Sequence, residues 1–387
     1  MELSIEKAAL GGDGIGRNAG KVVFVPSALP GDVVRVEITQ EAKNFTRARI
    51  LEVMTPSPAR ETGADSVATE DGSASWLHFR YPQQAEWKRQ LVGEALERIG
   101  GVAVDIEWRE EPSLRRGYRT RATFHGDGEK LGYYAAGSHD IVDVASCPLS
   151  HPRMNAALEK LRTVRLKGSC TLTVNPEGEE ELAWTAFTMR RLKAAFPLAN
   201  TPEDLKRSMF WFDNRPIVNG CFSQSSLLLN RLLTAAVEEF AGKPESVLDL
   251  YCGNGNLSLG MAAQCRVVGM DHNRDAVRAA RKTRIEGAEK HDYRKGGEDK
   301  MTALIASGEF ETILLDPPRA GAKLLAPALA ACKARQIVYV SCDPATLARD
   351  VKVMAAQGWS IVRAAALDMF PNTPHVETVC LLRRARG

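Results

Sequence analysis

The sequence predicts an α/β protein: a C-terminal doubly wound sheet, a mixed α+β middle and a small antiparallel β-barrel at the start. Three observations carry this. From about residue 216 apolar strands alternate with Ala-rich helical stretches, the order that builds a parallel sheet covered on both faces. Residues 1–57 instead alternate short β-rich runs with Gly and Pro and show no helical period. A length of 387 residues, at about 150 per domain, leaves room for two to three such units. The expected division is a barrel at 1–57, a linker at 58–75, a central α+β domain at 76–215 and the doubly wound domain at 216–387.

Composition narrows the classes. With 44% apolar and 26% charged residues the chain is ordinary globular material, which excludes wholesale disorder. Lys plus Arg number 51 against 48 Asp plus Glu, so the net charge of +3 permits a nucleic-acid partner without arguing for one. No apolar run approaches the roughly 20 residues of a membrane helix. The start, Met1 to Lys7, has no basic segment followed by an apolar one, so a soluble cytoplasmic protein without a secretory signal is expected. All eight Cys lie after residue 146 and none forms a C-x-x-C pair, a pattern of reduced thiols rather than of a disulfide framework or a zinc site.

In chain order, Lys21–Val25, Asp32–Thr39 and Thr46–Met54 read as barrel strands. Gly11-Gly12-Asp13-Gly14-Ile15-Gly16-Arg17, then Gly20 to Val25 and Leu29-Pro30-Gly31-Asp32, together resemble a TRAM domain, an RNA-binding barrel similar to the OB-fold. Lys21, Arg35, Lys43, Arg47 and Arg49 would then face phosphates. Glu61–Ser75, acidic and poor in large apolar residues, is expected to be exposed linker. Trp87, Leu91, Ala95 and Ile99 recur at helical spacing between Pro82, suited to a first turn, and a Gly100-Gly101 stop. Arg115, Arg116, Arg119 and Arg121 around Tyr118 form a basic-aromatic strand whose partners are Leu131–Tyr134 and Asp140–Val144; either it binds phosphate or it is a solvated face. The C-terminal domain then offers strands at Ser246–Leu250, Arg266–Met270, Glu311–Leu315 and Gln336–Ser341, with helices at Leu227–Ala241, Arg274–Glu286, Ala322–Ala334 and Thr346–Gln357.

The chemistry sits at the strand ends. Val247-Leu248-Asp249-Leu250-Tyr251-Cys252-Gly253-Asn254-Gly255-Asn256 is a buried strand entering a G-x-G turn before an Ala-rich helix, an arrangement that brings backbone close to a nucleotide-like cofactor. Asp271, about 20 residues on, stands where ribose hydroxyls are held in such folds. That spacing serves a dinucleotide or S-adenosylmethionine equally. Asp249 near the turn is easier to accommodate beside a ligand without phosphates, which favours the methyl donor. Asp316-Pro317-Pro318-Arg319 ends the next strand with a stiffened loop; amino-group methyltransferases commonly carry an aromatic residue where Arg319 stands, which points to a different reaction. Ser341-Cys342-Asp343-Pro344 sets a thiol on a Pro-braced turn after the following strand.

With Phe370-Pro371-Asn372-Thr373-Pro374-His375-Val376-Glu377-Thr378 downstream, these blocks closely resemble the RNA 5-methyluridine (uracil-C5) methyltransferase family, and with the TRAM-like start the resemblance spans essentially the whole chain. It implies a Rossmann-like class I methyltransferase domain with S-adenosyl-L-methionine as cofactor and RNA as partner, ribosomal RNA ahead of tRNA, acting as a monomer. It also implies roles. Carbon 5 of uracil is a poor nucleophile until a thiolate adds at carbon 6, so Cys342 is the expected nucleophile; carbon 5 must then lose a proton, and Glu377 is the expected base. Gln224, Tyr251, Asn256, Asp271 and Asp316 are the expected cofactor contacts. His375 and Arg319 are left between orienting uracil and orienting Glu377.

Many relatives bind a four-iron cluster through three clustered Cys and a later fourth. Here Ser73-Ala74-Ser75-Trp76-Leu77-His78 holds none, and Cys147 matches only the fourth, so no iron–sulfur centre and no metal is expected. Gly297 and Lys282-Thr283 depart from the family on the adenine side, where Glu298 or Asp299 would compensate. Two other readings stand beside the enzyme: a noncatalytic RNA-binding protein with a relict methyltransferase fold, and an amino-group methyltransferase using Asp316-Pro317-Pro318.

Overall fold

The computed structural model describes residues 1–9, 11–61, 73–135, 137–186, 190–283 and 291–384. The centre of the expected linker and the last residues of the helix expected at Arg274–Glu286 lie outside them. Strands β1 (Glu2–Ala8), β2 (Gly14–Asn18), β3 (Lys21–Val25), β4 (Val33–Glu41) and β5 (Phe45–Thr55) close into a barrel in the order β1-β2-β3-β5-β4. Alternate residues fill it, with Leu3, Ile5, Val23, Val25, Val34 and Val36 inside. Asp32, fully buried, ties off one end by accepting the Leu29 and Ser57 amides at 2.7 Å each and pairing with Arg60. Arg35, Arg47 and Arg49 are engaged on the outside with Glu52, Asp13 and Glu37. Such exposed pairs are worth about 0–1 kcal/mol and yield readily to an incoming anion.

Ser73 and Ala74, expected at the exposed end of the linker, are buried. The reason is Trp76, whose backbone N–H donates to Asn372 and whose indole packs at 5.3 Å against Phe79, pulling the segment into the interior. Helix α1 (Tyr81–Ala95) follows, continues through a π turn at Leu96–Gly100 and stops at Gly101 with φ of 69°. Its inward face differs from the one expected: Gln84, Lys88, Leu91, Val92 and Ala95 are buried, while Ile99 is exposed. Polar partners rotate it. Lys88 Nζ donates to Asp368 Oδ1 at 2.6 Å and to the Phe370 carbonyl at 3.0 Å, Tyr81 donates to Asp368 Oδ2 at 2.6 Å, and Gln84 exchanges hydrogen bonds with Asn372.

The next strand, β6 (Ile106–Arg109), joins the edge of the large C-terminal sheet. The chain then forms β7 (Arg121–Asp127), β8 (Leu131–Tyr134), β9 (Ile141–Asp143), helix α2 (Pro152–Arg162), β10 (Lys167–Val174), β11 (Glu181–Thr185) and α3 (Arg190–Ala195), giving a five-stranded sheet ordered β11-β10-β7-β8-β9 over its own core. The arginines around Tyr118 do not make one exposed stripe. Tyr118 is fully buried and donates to the Pro371 carbonyl, Arg121 donates to the Cys221 carbonyl, Arg119 to the Ser73 carbonyl, and Arg115 stacks on Tyr81 at 3.8 Å.

A hairpin, β12 (Met209–Phe212) and β13 (Arg215–Val218), leads to helix α4 (Asn230–Ala241) and the large sheet. Its elements are β14 (Ser246–Leu250), β15 (Arg266–Asp271), α5 (Arg274–Lys282), β16 (His291–Lys295), α6 (Glu298–Ser307), β17 (Thr312–Leu315), α7 (Ala326–Ala331), β18 (Gln336–Ser341), α8 (Pro344–Ala355), β19 (Trp359–Leu367) and β20 (Glu377–Arg384). The order β16-β15-β14-β17-β18-β20-β19-β6 is parallel from β16 to β18, with β20 running antiparallel between β18 and β19. Apolar clusters cover both faces, so β14 and β18 are buried almost throughout. Strand order reverses between β14 and β17, which opens a crevice at their carboxyl ends. The Ala-rich helix expected after the G-x-G turn is reduced to one 3-10 turn, Leu259–Met261. Ser258 there turns its hydroxyl back to Asp249 and Tyr293, and only a short stretch separates the turn from β15.

Lys88 and Asp368 are both completely buried. Removing one partner of such a pair strands the other charge, at a cost of about 3–5 kcal/mol, whereas replacing both is near neutral. Lys88→Met should therefore lose stability on that scale in chemical denaturation, and Lys88→Met with Asp368→Leu should recover most of it. An unchanged midpoint in the single variant would refute the clamp.

Candidate active site

A narrow cleft sits at the crevice between β14 and β17, and Gln224, Tyr251, Asn256 and Asp316 line it. Local backbone explains its shape. Tyr251, Gly253 and Gly255 follow β14 with φ of 58°, 52° and 81°. A left-handed residue with a side chain costs about 1–2 kcal/mol, so Tyr251 is held there by its surroundings. At Gly255 a Cβ would meet Leu259 at 2.7 Å, which makes the glycine obligatory. Asn254 anchors the turn to β13 by donating to the Pro216 carbonyl at 2.6 Å.

Asp271 stands behind the cleft rather than in its wall. Its two oxygens accept the Gly253 and Asn273 amides at 3.0 and 2.7 Å, so it fixes the turn while each oxygen keeps a second lone pair. The Asn256 amide is matched reciprocally to Asn230 at 2.7 and 2.9 Å. Asn230 also lines the cleft, as does Phe222, 71% exposed at its mouth. Sequence reasoning missed both as wall residues. A large exposed aromatic beside Gln224 was a usable signal; the asparagine pair, from distant segments, left none.

Sheet register assembles the second half of the site. In the antiparallel pair of β18 and β20, Ser341 lies opposite Thr378, so the next residues outward, Cys342 and Glu377, face one another on the same side. Asp343 caps α8 through the Ala345 and Thr346 amides at 3.0 and 2.9 Å, with Pro344 in the first turn, and this fixes the backbone from which Cys342 projects. Cys342 is partly accessible, Glu377 is buried, and Glu377 Oε1 has no hydrogen-bond partner among the described residues. Asp316 ends β17 next to β18.

The electrostatics of this edge are unusual. Burial pushes the Asp316 carboxyl up to about 7. Burial does the same to Asp249, also to about 7, against the hydrogen bond from Ser258 and with help from Asp316 and Asp271. Burial, then the charge of Asp316, drives Glu377 well above the carboxylate range. The Cys342 thiol is pushed up to about 11 by burial and by Glu377 and Asp316, with Arg319 opposing. His375, set beside Phe370, is held down to about 4 by partial burial and by the cations Arg319, Lys88 and Arg119. Asp249 Oδ1 is likewise buried without a partner. Desolvated carboxyls with no paired cation suit a ligand that brings positive charge, as a sulfonium with an amino group does, and suit a pyrophosphate poorly.

The family model for tRNA (uracil-5-)-methyltransferases matches residues 300–385, that for the TRAM domain residues 1–51, and that for a methyltransferase small domain residues 219–331. The chain is 31% identical to an RNA methyltransferase of Gloeobacter violaceus described as uncharacterized, over all of this chain and 96% of that one. It is 31% identical to the 23S rRNA (uracil(1939)-C(5))-methyltransferase RlmD of Chromohalobacter salexigens, over 99% of this chain and 89% of that one. The crystal structure of the Pyrococcus abyssi tRNA (uracil-54, C5)-methyltransferase with S-adenosyl-L-homocysteine superposes with a TM-score of 0.78 at 25% identity, covering 99% of this chain and 100% of that one.

A carboxyl whose folded pKa stands above its unfolded value contributes stability that is present in full below about pH 4 and is lost as the pH rises through about 7. Asp316→Asn and Asp249→Asn should thus raise the melting temperature of the ligand-free protein at pH 8, by about 2–4 °C per kcal/mol relieved, and leave it unchanged near pH 4. Equal gains at both pH values would show that these carboxyls are not strained.

Proposed function

This chain belongs to the S-adenosylmethionine-dependent RNA uracil-C5 methyltransferases, and on that premise we propose that Cys342 and Glu377 carry the reaction on a uridine of ribosomal RNA. The Ser341–Thr378 pairing, which brings the next residues, Cys342 and Glu377, together at the ends of β18 and β20, and the action of the Glu377 charge on the thiol support this reading most directly. Ribosomal RNA is favoured because the Chromohalobacter relative, which acts on 23S rRNA, is 31% identical across 99% of the chain, against 25% for the Pyrococcus tRNA enzyme.

The bound donor supplies an electrophilic methyl group. Gln224 and Tyr251 in the cleft wall, the Asn256–Asn230 pair and Asp316 would hold it, with Asp271 fixing the G-x-G turn from behind, and a cation beside Asp316 would draw that carboxyl toward its ionised form. The target uridine leaves its stack to reach the thiol. Cys342 sulfur, as thiolate, bonds to carbon 6, and the π pair of the 5,6 double bond moves onto carbon 5 and oxygen 4 as an enolate. Carbon 5 attacks the methyl, the methyl–sulfonium bond breaks with its electron pair returning to sulfur, and the donor leaves as neutral S-adenosylhomocysteine. Glu377 carboxylate then takes the carbon 5 proton, the released pair re-forms the double bond, and the thiolate leaves. The enclosed, unpaired position of Glu377 makes it a stronger base than an exposed carboxylate once it is ionised.

Incubating the protein with total RNA and methyl-labelled donor, then digesting and mapping, should place the label on carbon 5 of uridine; label on an exocyclic amine alone overturns the reading. Cys342→Ala should abolish turnover, while Glu377→Gln should let a methylated covalent RNA complex build up on a denaturing gel. Because Glu377 raises the thiol pKa, the Gln variant should also alkylate faster with iodoacetamide at pH 8 than the native protein.

We propose further that the family's iron–sulfur cluster is not held. Ser73 Oγ lies 3.6 Å from Cys147 Sγ, so one hydroxyl and one thiol meet where cluster ligation needs several thiolates. Protein purified without oxygen should carry neither stoichiometric iron nor acid-labile sulfide.

A further inference from the structure

A second cavity, of about 320 Å³ and open to solvent, lies where the barrel meets the loop that carries His375. Gly12, Asp13 and Ser27 of the barrel form one wall; Ser75, Arg119 and His375 stand opposite. Its size falls in the range of about 300–1,000 Å³ of ligand pockets. Neither Cys342 nor Glu377 lines it, so it adjoins the reacting centre without being part of it.

Arg119 is the group that asks for a ligand. It is walled in on nearly every side yet keeps part of its surface open to the cavity. It donates to the neutral Ser73 carbonyl at 2.9 Å, the Tyr133 hydroxyl lies beside it, and Tyr118, Tyr133 and Cys147 are the groups that act on its charge. A guanidinium so enclosed is normally matched by an anion, because burying an unpaired charge is costly. Among the described residues, the carboxylate in the cavity wall is that of Asp13, which is already paired with Arg47 at 3.2 Å. His375, exposed toward the opening and neutral, offers an aromatic face without adding charge.

We propose that this cavity takes a nucleotide of the RNA strand flanking the target uridine, with its backbone phosphate on Arg119 and its base beside His375. The proposal rests on the RNA-methylating reading above and adds a role for the barrel: its Gly12–Asp13 loop is half of the subsite. Phosphate clamped there fixes the strand on one side of the flipped base, so the uridine is presented to Cys342 in one register.

The test uses the full chain and fluorescein-labelled heptauridylate, with anisotropy titrations across a KCl series. Arg119→Gln should weaken binding roughly tenfold at low salt and reduce the slope of log affinity against log salt by about 0.7, the loss of one single-strand phosphate contact. Ser75→Phe, which fills the cavity and leaves the guanidinium in place, should weaken binding similarly. Arg89→Gln, on the exposed face of α1, should change neither. S-adenosylhomocysteine affinity should be unaltered in all three. An unchanged slope in folded Arg119→Gln overturns the proposal, as does full affinity in Ser75→Phe; if Arg119→Gln does not fold, Ser75→Phe decides alone. Failure of the parent reading shows elsewhere, as missing carbon 5 label in total RNA, and does not depend on these titrations.

Discussion

The buried pair of Lys88 and Asp368 is the contact on which the rest of the molecule is hung. It joins a helix near the start of the chain to the segment between the last two strands, and both side chains are fully removed from solvent. An apolar pair of similar volume would stabilise the fold as well, but it would not specify where the following loop lies. Lys88 reaches the Phe370 carbonyl, Gln84 grips Asn372 through both amide groups, and Tyr118 fixes the Pro371 carbonyl. Each bond is directional. Together they hold residues 368–376 so that β20 begins at Glu377, opposite Cys342, and a slip of one residue in that strand would turn the carboxyl to the other face of the sheet.

On that frame the reacting edge is kept in tension. Asp249, Asp316 and Glu377 crowd the carboxyl ends of neighbouring strands with no paired cation among the described residues, and burial raises the pKa of all three. A positively charged donor relieves this where a neutral one does not, which ties cofactor selection to the same groups that set the proton inventory. The same groups act on Cys342: burial, then the charges of Glu377 and Asp316, oppose ionisation of its thiol, while Arg319 and a backbone hydrogen bond favour it.

The barrel is not an appendage. Gly12, in left-handed backbone, approaches Pro374 so closely that a Cβ would sit 2.7 Å from the proline ring, and the Trp76 indole points at the Gly12 carbonyl. The glycine-rich loop that marks the barrel in sequence is thus shaped by its contact with the loop before Glu377. Next to this loop the chain packs Ser73, Ala74 and Cys147 into the interior, and hydrogen bonds from Arg119 and to Asn372 hold the segment.

The strands of the large sheet were legible from their unbroken apolar runs: Ser246–Leu250 and Gln336–Ser341 appear with the expected bounds, since a strand buried on both faces leaves little choice of residue. Cys342 and Glu377 were legible as a thiol and a carboxylate in separate motifs, and the pairing of β18 with β20 brings those motifs together. The inward face of α1 was misjudged because burial of Gln84 and Lys88 depends on Asn372 and Asp368, hundreds of positions away, and no helical period encodes a partner at that distance. The same holds for the arginines near Tyr118, whose alternation is compatible with an open face until Ser73, Cys221 and Tyr81 are brought against them. Residue identity and local order therefore determined the elements and the reactive groups, for those follow from short-range sterics and from where apolar side chains avoid water. Which groups meet, which carboxyls lose their solvent and which charge is left facing an open cavity were decided only by the tertiary structure, because desolvation and pairing are properties of neighbours that the chain acquires on folding.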